Sequence, residues 1–356
     1  MRPRPEPLDR ITPTSLASWE RCPWSLGFAR DPATAHLDRT GPRAALGIVA
    51  HRVVQDFRLD DDFEELWGST AQDVYEDLAL QWEPARPPAP QNWPGWALTK
   101  VRARRLCSER ARPRGEVPKK PPPVNRDADF LPEFPWVERW LEDPTRPIAG
   151  KPDLVERTES GIRVVDLKTG IAFASPTPEH ADQLLLYCGL VWSIAGESPV
   201  EAVILGVGQD EHVLSVTEAE IQRVRKKALD RLNALNQSHS EQGMYRELAT
   251  PSSEACRWCP FRVVCDAFFD SVEPDWGVGA LLLGTVQDCS VDVEGPSRVD
   301  MVVEKPNWLR GGRQLVNFPF PVTVQAGQRW GAVDFKAQSH TASAQWNTLV
   351  AAWDET

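Results

Sequence analysis

Two short apolar runs, 149–156 and 162–168, flank Arg157-Thr158-Glu159-Ser160-Gly161, and this pairing constrains the chain more than any other stretch. Runs rich in valine, leucine and isoleucine around a short polar turn read as an antiparallel hairpin. A helix is predicted over 179–195, followed by strands over 200–207 and 212–216. Thr217 with Glu220 then forms a capping box that opens a helix reaching about Gln237. Strands interleaved with helices in this way specify an α/β core.

Upstream, 12–30 reads as one helix starting near Thr14, with Leu16, Trp19 and Leu26 at core positions and Cys22 in its middle. A second helix is predicted over 47–59, carrying His51. From 84 to 135 the chain is crowded with proline and basic residues, apart from a helical piece around 99–111. Such a composition builds no core by itself and reads as a mobile insertion or a substrate-tracking loop. Past 278 helical periodicity nearly vanishes, and strand-like runs follow at 280–286, 299–304, 314–318, 322–325 and 331–336. A small all-β domain fits 275–356; an OB-type five-stranded barrel, an SH3-like barrel and a sandwich share that strand count. With 356 residues, two domains are expected, 1–272 and 275–356.

The formal net charge of −11 argues against a surface coated in non-specific phosphate contacts. Cations nevertheless concentrate between Lys100 and Arg126, including Arg102, Arg104 and Arg105, and again over 223–231, where Arg223, Arg225, Lys226 and Lys227 lie on one helix. Either stretch is a candidate contact for phosphate groups. No stretch is apolar for long enough to span a bilayer, so no membrane is expected. Met1-Arg2-Pro3-Arg4-Pro5 has no apolar stretch behind it, which makes a reducing cytoplasm the expected compartment and a disulfide framework unexpected.

Chemistry concentrates in the hairpin. Side chains alternate along a strand, so Asp166 and Lys168 of Val165-Asp166-Leu167-Lys168 share a face, and Asp153 of Lys151-Pro152-Asp153 comes alongside through the hairpin. Clustered carboxylates repel one another unless a hard cation such as Mg²⁺ or Mn²⁺ joins them. A cation held there lowers the pKa of a bound water and offsets charge on a phosphoryl oxygen, and an ammonium at Lys168 steadies the transition state.

This arrangement resembles the PD-(D/E)xK nuclease superfamily, most closely its RecB-like branch, whose motif strand ends Asp-x-Lys-Thr-Gly, here Asp166-Leu167-Lys168-Thr169-Gly170. Gln183 and Tyr187 match the family's Gln-x-x-x-Tyr spacing, which puts both on one helix face. Gly47-Ile48-Val49-Ala50-His51 matches a glycine-to-histidine motif whose imidazole binds metal in that branch. The resemblance implies a restriction-endonuclease-like core with Mg²⁺ or Mn²⁺ on His51, Asp153 and Asp166. It also implies Lys168, Gln183 and Tyr187 in the catalytic constellation. Glu138 and Glu142 are candidates for a further acidic residue there.

Cys256-Arg257-Trp258-Cys259 followed by Cys265 is a C-x₂-C-x₅-C run, and Cys22 stands alone far upstream. The spacing suits zinc and an iron–sulfur cluster alike. Similarity to RecB-like recombination exonucleases and CRISPR-associated iron–sulfur nucleases implies a [4Fe–4S] cluster on Cys22, Cys256, Cys259 and Cys265, shielded by Trp258, Phe261 and Phe268. Zn²⁺ is the alternative. Cys107, Cys188 and Cys289 read as incidental thiols. Trp308, Trp330 and Trp346 are candidates for stacking on unpaired bases. The function implied is a DNA exonuclease on single-stranded or frayed ends, working in repair, recombination or CRISPR defence beside a helicase, recombination or CRISPR protein. A silent DNA-binding module on the same fold and a zinc-stapled scaffold are the rival readings.

Overall fold

The computed structural model describes residues 2–110, 133–168, 176–206, 211–238, 243–290, 296–306, 309, 311–338 and 341–353. The cations of 111–126, Thr169, Gly170 and Trp308 lie outside them. Thr12 caps α1 (Pro13–Arg21) by accepting from the Ser15 N–H, and α2 (Pro23–Arg30) follows. One continuous helix was expected here. Pro23 forces the residue before it out of helical space, and Cys22 is extended at φ −164°, ψ 112°. Three further helices, α3 (Pro42–Asp56), α4 (Phe63–Gln81) and α5 (Trp96–Arg110), complete an N-terminal helical layer.

The proline-rich stretch is more ordered than its composition suggests. Trp93, Ala103, Leu106 and Cys107 are buried, and the Trp96 ring meets Trp67 edge-on at 5.2 Å. Neighbouring helices supply the core that 84–110 lacks on its own. Residues 111–132 of that insertion lie outside the described ones.

Short strands β1 (Trp136–Val137), β2 (Leu141–Glu142) and β3 (Ala149–Gly150) lead into the hairpin of β4 (Leu154–Thr158) and β5 (Gly161–Lys168). Helix α6 (Pro178–Ala195) crosses over to β6 (Glu201–Gly206), parallel to β5, and β7 (Glu211–Ser215) turns back before α7 (Glu218–Gln237). The sheet order is β1-β4-β5-β6-β7. Ile162 and Val164 of β5 pack with α6 and α7, whereas Val165 joins Val203, Leu205 and Leu106 in a second apolar cluster. Period-two alternation therefore sends Asp166 and Lys168 toward α6.

Beyond α7, α8 (Ser253–Cys256), a 3₁₀ turn (Pro260–Val264) and α9 (Asp266–Ser271) return to the N-terminal layer. The C-terminal strands are β8 (Ala280–Ser290), β9 (Ser297–Lys305), β10 (Arg313–Phe318), β11 (Arg329–Gln338), β12 (Thr341–Ser343) and β13 (Leu349–Ala352). Pairings run β8-β9-β10-β12-β11 and back to β8, a closed ring in which only β10 and β12 run parallel, with β13 added on β11. The strand expected at 322–325 is not one. Val322 and Val324 are buried in the barrel without a ladder partner, while the polar, three-residue β12 closes the ring.

The barrel lies directly on the 3₁₀ turn. Trp353 Nε1 donates to the Val263 carbonyl at 3.0 Å, Arg262 is ion-paired with Asp334, and Phe269 meets the Trp353 ring. Gly331 is required at this contact, because a Cβ there would stand 2.7 Å from the Val263 oxygen. Trp330 is 1% exposed inside the barrel, and Trp346 packs edge-on against Trp82. Trp330 therefore presents no free face to a base, contrary to expectation, because the barrel core claims its ring, whereas Trp346 is half-buried at the lobe contact.

Candidate active site

His51, two-thirds along α3, lies between two carboxylates. Its Nε2 is 3.1 Å from Asp153 Oδ1 and its Nδ1 is 3.3 Å from Glu138 Oε1. One ligand atom from each of His51, Glu138 and Asp153 falls within 4.8 Å of the others, a group that could hold a metal ion. Pairing of β1 with β4 sets Val137 opposite Leu154, so Glu138 follows directly beside Asp153, and its N–H donates to the Asp153 carbonyl. Glu138 adopts φ +44°, a left-handed conformation that a non-glycine residue holds only when its surroundings enforce it. Lys151 contacts its other oxygen at 3.0 Å.

Asp153 Oδ2 accepts from the Leu167 N–H at 2.6 Å, which ties the loop before β4 to β5. On the α6 side of that strand, Lys168 Nζ is 2.9 Å from Asp166 Oδ2 and donates to Gln183 Oε1 at 3.0 Å, while Gln183 Nε2 reaches Asp166 Oδ1 at 3.4 Å. Tyr187, one turn on from Gln183, is buried beneath. Asp166 thus adjoins the His51–Glu138–Asp153 group and is tied to Lys168. His51, Asp153, Asp166, Lys168, Gln183 and Tyr187 come to one corner of the fold.

The electrostatics fit a cation site. Burial works against a charged His51, but the hydrogen bond and charge of Asp153, with Glu138 and Asp166 behind it, outweigh burial and hold its pKa above the ordinary value. Burial raises the Asp166 carboxyl above its usual range, with Asp153 adding to the shift and Lys168 opposing it. Tyr187 is pushed up to about 12 by burial.

Glu138 is the residue that sequence reasoning left unresolved against Glu142. Glu142 turns away, to Arg10 at 3.2 Å and the Trp140 indole. A two-residue strand before Glu138 gives no periodic signal, so only the β1–β4 pairing separates the two.

The four cysteines expected to act together, Cys22, Cys256, Cys259 and Cys265, line one cavity with Trp24, Phe28, Phe261 and Phe268. Burial pushes the Cys256 thiol up to about 12 and Cys265 well above the ordinary range. Trp258 does not help to shield this cavity. Cys256 and Cys259 turn inward, the two residues between them turn outward, and Trp258 is 70% exposed. Cys107 and Cys188 are buried apart from the cavity.

The basic helix α7 departs most from expectation. Arg225 is buried, 3.0 Å from Asp143 and bonded to the Gly189 carbonyl and Ser193, so no phosphate can reach it. Arg223 pairs with Asp182, Lys226 with Asp230, and Lys227 with both Glu20 and Asp182. On α5, Arg104 and Lys100 pair with Glu64. Arg105 is exposed and Arg102 half-buried. A run of cations on α7 is mostly an internally neutralised face.

Among the described residues no helix is long and apolar enough to cross a membrane. A comparison with curated proteins finds no match. Among solved structures, the crystal structure of SSO0001 is similar at 18% sequence identity over 37% of this chain and 61% of that one, with a TM-score of 0.23. The family model of the PD-(D/E)XK nuclease superfamily matches residues 10–266, a span that contains every residue of the carboxylate corner and all four cavity cysteines. The chain belongs to the PD-(D/E)XK nuclease superfamily.

Proposed function

We propose that the chain hydrolyses DNA phosphodiesters with Mg²⁺ or Mn²⁺, as an exonuclease on single-stranded or frayed ends. The observation that carries this reading is the convergence of His51, Glu138 and Asp153 beside the Asp166–Lys168–Gln183 network. Two carboxylates and an imidazole suit a divalent ion, and Asp166 completes an oxygen-rich set. A bound ion supplies an acidified water and offsets phosphoryl charge. Lys168 holds its ammonium toward the phosphate, Gln183 fixes the direction of that ammonium, and Asp166 pairs with it at 2.9 Å. Masses of single-stranded and duplex products after incubation with Mn²⁺, with and without chelator, test the assignment. Nucleotides trimmed from ends support it; internal fragments or chelator-insensitive cutting reject it.

Metal binding should release a proton. The raised pKa of His51 keeps its imidazolium to higher pH than usual, and an ion requires it neutral. Mn²⁺ affinity is therefore expected to be constant above that pKa and to fall roughly ten-fold per pH unit below it. Calorimetry in buffers of different ionisation enthalpy reads the release directly, and His51→Gln should abolish it.

The four-cysteine cavity fits a [4Fe–4S] cluster as a staple between the N-terminal helices and the end of the nuclease core. Buried thiols resist ionisation unless a cationic centre compensates them. Anaerobically purified protein is expected to be brown and to lose its visible absorbance in Cys259→Ser; a colourless sample with stoichiometric zinc would reverse the assignment. The ring order of the barrel, with a single parallel pair, supports an OB-type domain. A helicase, recombination or CRISPR protein is the expected class of partner.

A further inference from the structure

While the cations of α7 are neutralised by neighbouring carboxylates, two guanidinium groups elsewhere are not. Arg43 and Arg257 are exposed and, among the described residues, make no ion pair. Both lie over the same ring. The Arg43 guanidinium is 5.6 Å and that of Arg257 5.2 Å from the centre of Trp258, whose side chain is 70% exposed. An indole left this open on an acidic protein, with two unneutralised cations close to its ring, has the composition of a contact for a π-faced anion.

Its position connects it to the carboxylate corner. Arg43, Gly47 and His51 follow one another at i, i+4 and i+8 on α3, so they lie along one row of the helix. Eight residues at the helical rise place Arg43 roughly 12 Å from His51 along the axis. Gly47 contributes no side chain between them. Helix α3 therefore carries a cation at one end of this row and a metal-site imidazole at the other.

We propose that Trp258, Arg43 and Arg257 form a stacking platform for single-stranded nucleic acid, which grips a strand a few nucleotides from the point where its backbone meets His51 and Asp153. An unpaired base offers the face that Trp258 can stack on, and a duplex hides that face. Adjacent phosphates are matched by the two guanidinium groups. The proposal deepens the nuclease reading and rests on it for the direction of the strand.

The test uses the full chain with its colour retained, Ca²⁺ in place of Mn²⁺, and a fluorescein-labelled oligothymidylate of about ten nucleotides. Trp258→Ala is expected to weaken binding about ten-fold and Trp258→Phe less than about three-fold, because a phenyl ring still stacks. Arg43→Ala with Arg257→Ala should flatten the salt dependence by roughly 1.4 in the log–log slope, two single-strand phosphates' worth. In Mn²⁺ the Trp258→Ala defect should appear in KM for the long strand and shrink to under about two-fold for a dinucleotide too short to span the row.

Unchanged oligonucleotide affinity in Trp258→Ala overturns the platform, as does an unchanged salt slope in the double arginine variant, which leaves the cysteine residues untouched. An equal defect on dinucleotide and long strand also overturns it. If the wild type binds strands through Trp258 but cleaves none in Mn²⁺, the platform stands and the nuclease reading falls. If it cleaves strands that it binds without Trp258, the nuclease reading stands and the platform falls.

Discussion

Asp166→Asn and Lys168→Met should each reduce Mn²⁺-dependent cleavage by about 10³-fold or more while leaving the protein folded. Both groups meet at 2.9 Å on the α6 face of β5, where Asp166 is 4% exposed. Asparagine preserves the shape of the buried side chain but removes the charge that an ion and an ammonium both need. Methionine fills the space of the lysine stem without the ammonium. Several kcal/mol of transition-state stabilisation are lost either way, at about 1.4 kcal/mol per factor of ten. Gln183→Leu should cost less, about 10–100-fold, since it orients Lys168 without touching the phosphate. Radiolabelled single-stranded DNA and unchanged circular dichroism are the measurements. Equal degradation by wild type and both variants would assign the activity to a contaminant.

The largest loss of stability is expected at the buried ion pair between α6, α7 and the turn after β2. Asp143 accepts from the N–H groups of Thr145 and Arg146, from the hydroxyls of Thr145 and Ser193, and from Arg225. Burial opposes its ionisation, but these donors together hold its pKa below the ordinary range. Removing one member of a buried pair typically costs about 3–5 kcal/mol. Arg225→Ala should fall near the lower end, because Asp143 keeps four donors. Asp143→Ala leaves the buried guanidinium without a carboxylate, held by the Gly189 carbonyl, Ser193 and the face of Trp192, and should reach the upper end. Urea unfolding midpoints at constant slope decide the order. The depressed carboxyl also fixes the pH sense: its contribution is present above the unfolded pKa and is lost as pH falls through the lower folded value.

Gly189 shows why this pair is invisible in the sequence. A Cβ there would stand 2.7 Å from Arg225 Nε, so the glycine exists to admit a side chain from a helix more than thirty residues away. Spacing along α7 marks Arg225 only as one cation among several, and burial is a property of the packed layers. The carboxylate corner was more legible, because strand alternation and helical i,i+4 spacing are local and fix which faces Asp166, Lys168, Gln183 and Tyr187 present. Glu138 escaped since its direction depends on a two-residue pairing and a left-handed backbone. The break at Cys22 could have been read from Pro23. In the barrel, 280–336 carries alternating apolar residues, whereas Thr341-Ala342-Ser343 has one, and only ring closure reveals it as a strand.

Because Gly331, Asp334 and Trp353 lie on the turn between Cys259 and Cys265, the barrel is a lid on the cysteine lobe and not a detachable appendage. Cutting the chain after α9 would bare Val263, Phe269 and Trp82 and leave the Arg262 charge without its acid. Any effect of such a truncation on DNA handling would therefore mix two losses, and point substitutions on the barrel's outer surface are the cleaner probe of what that domain contributes.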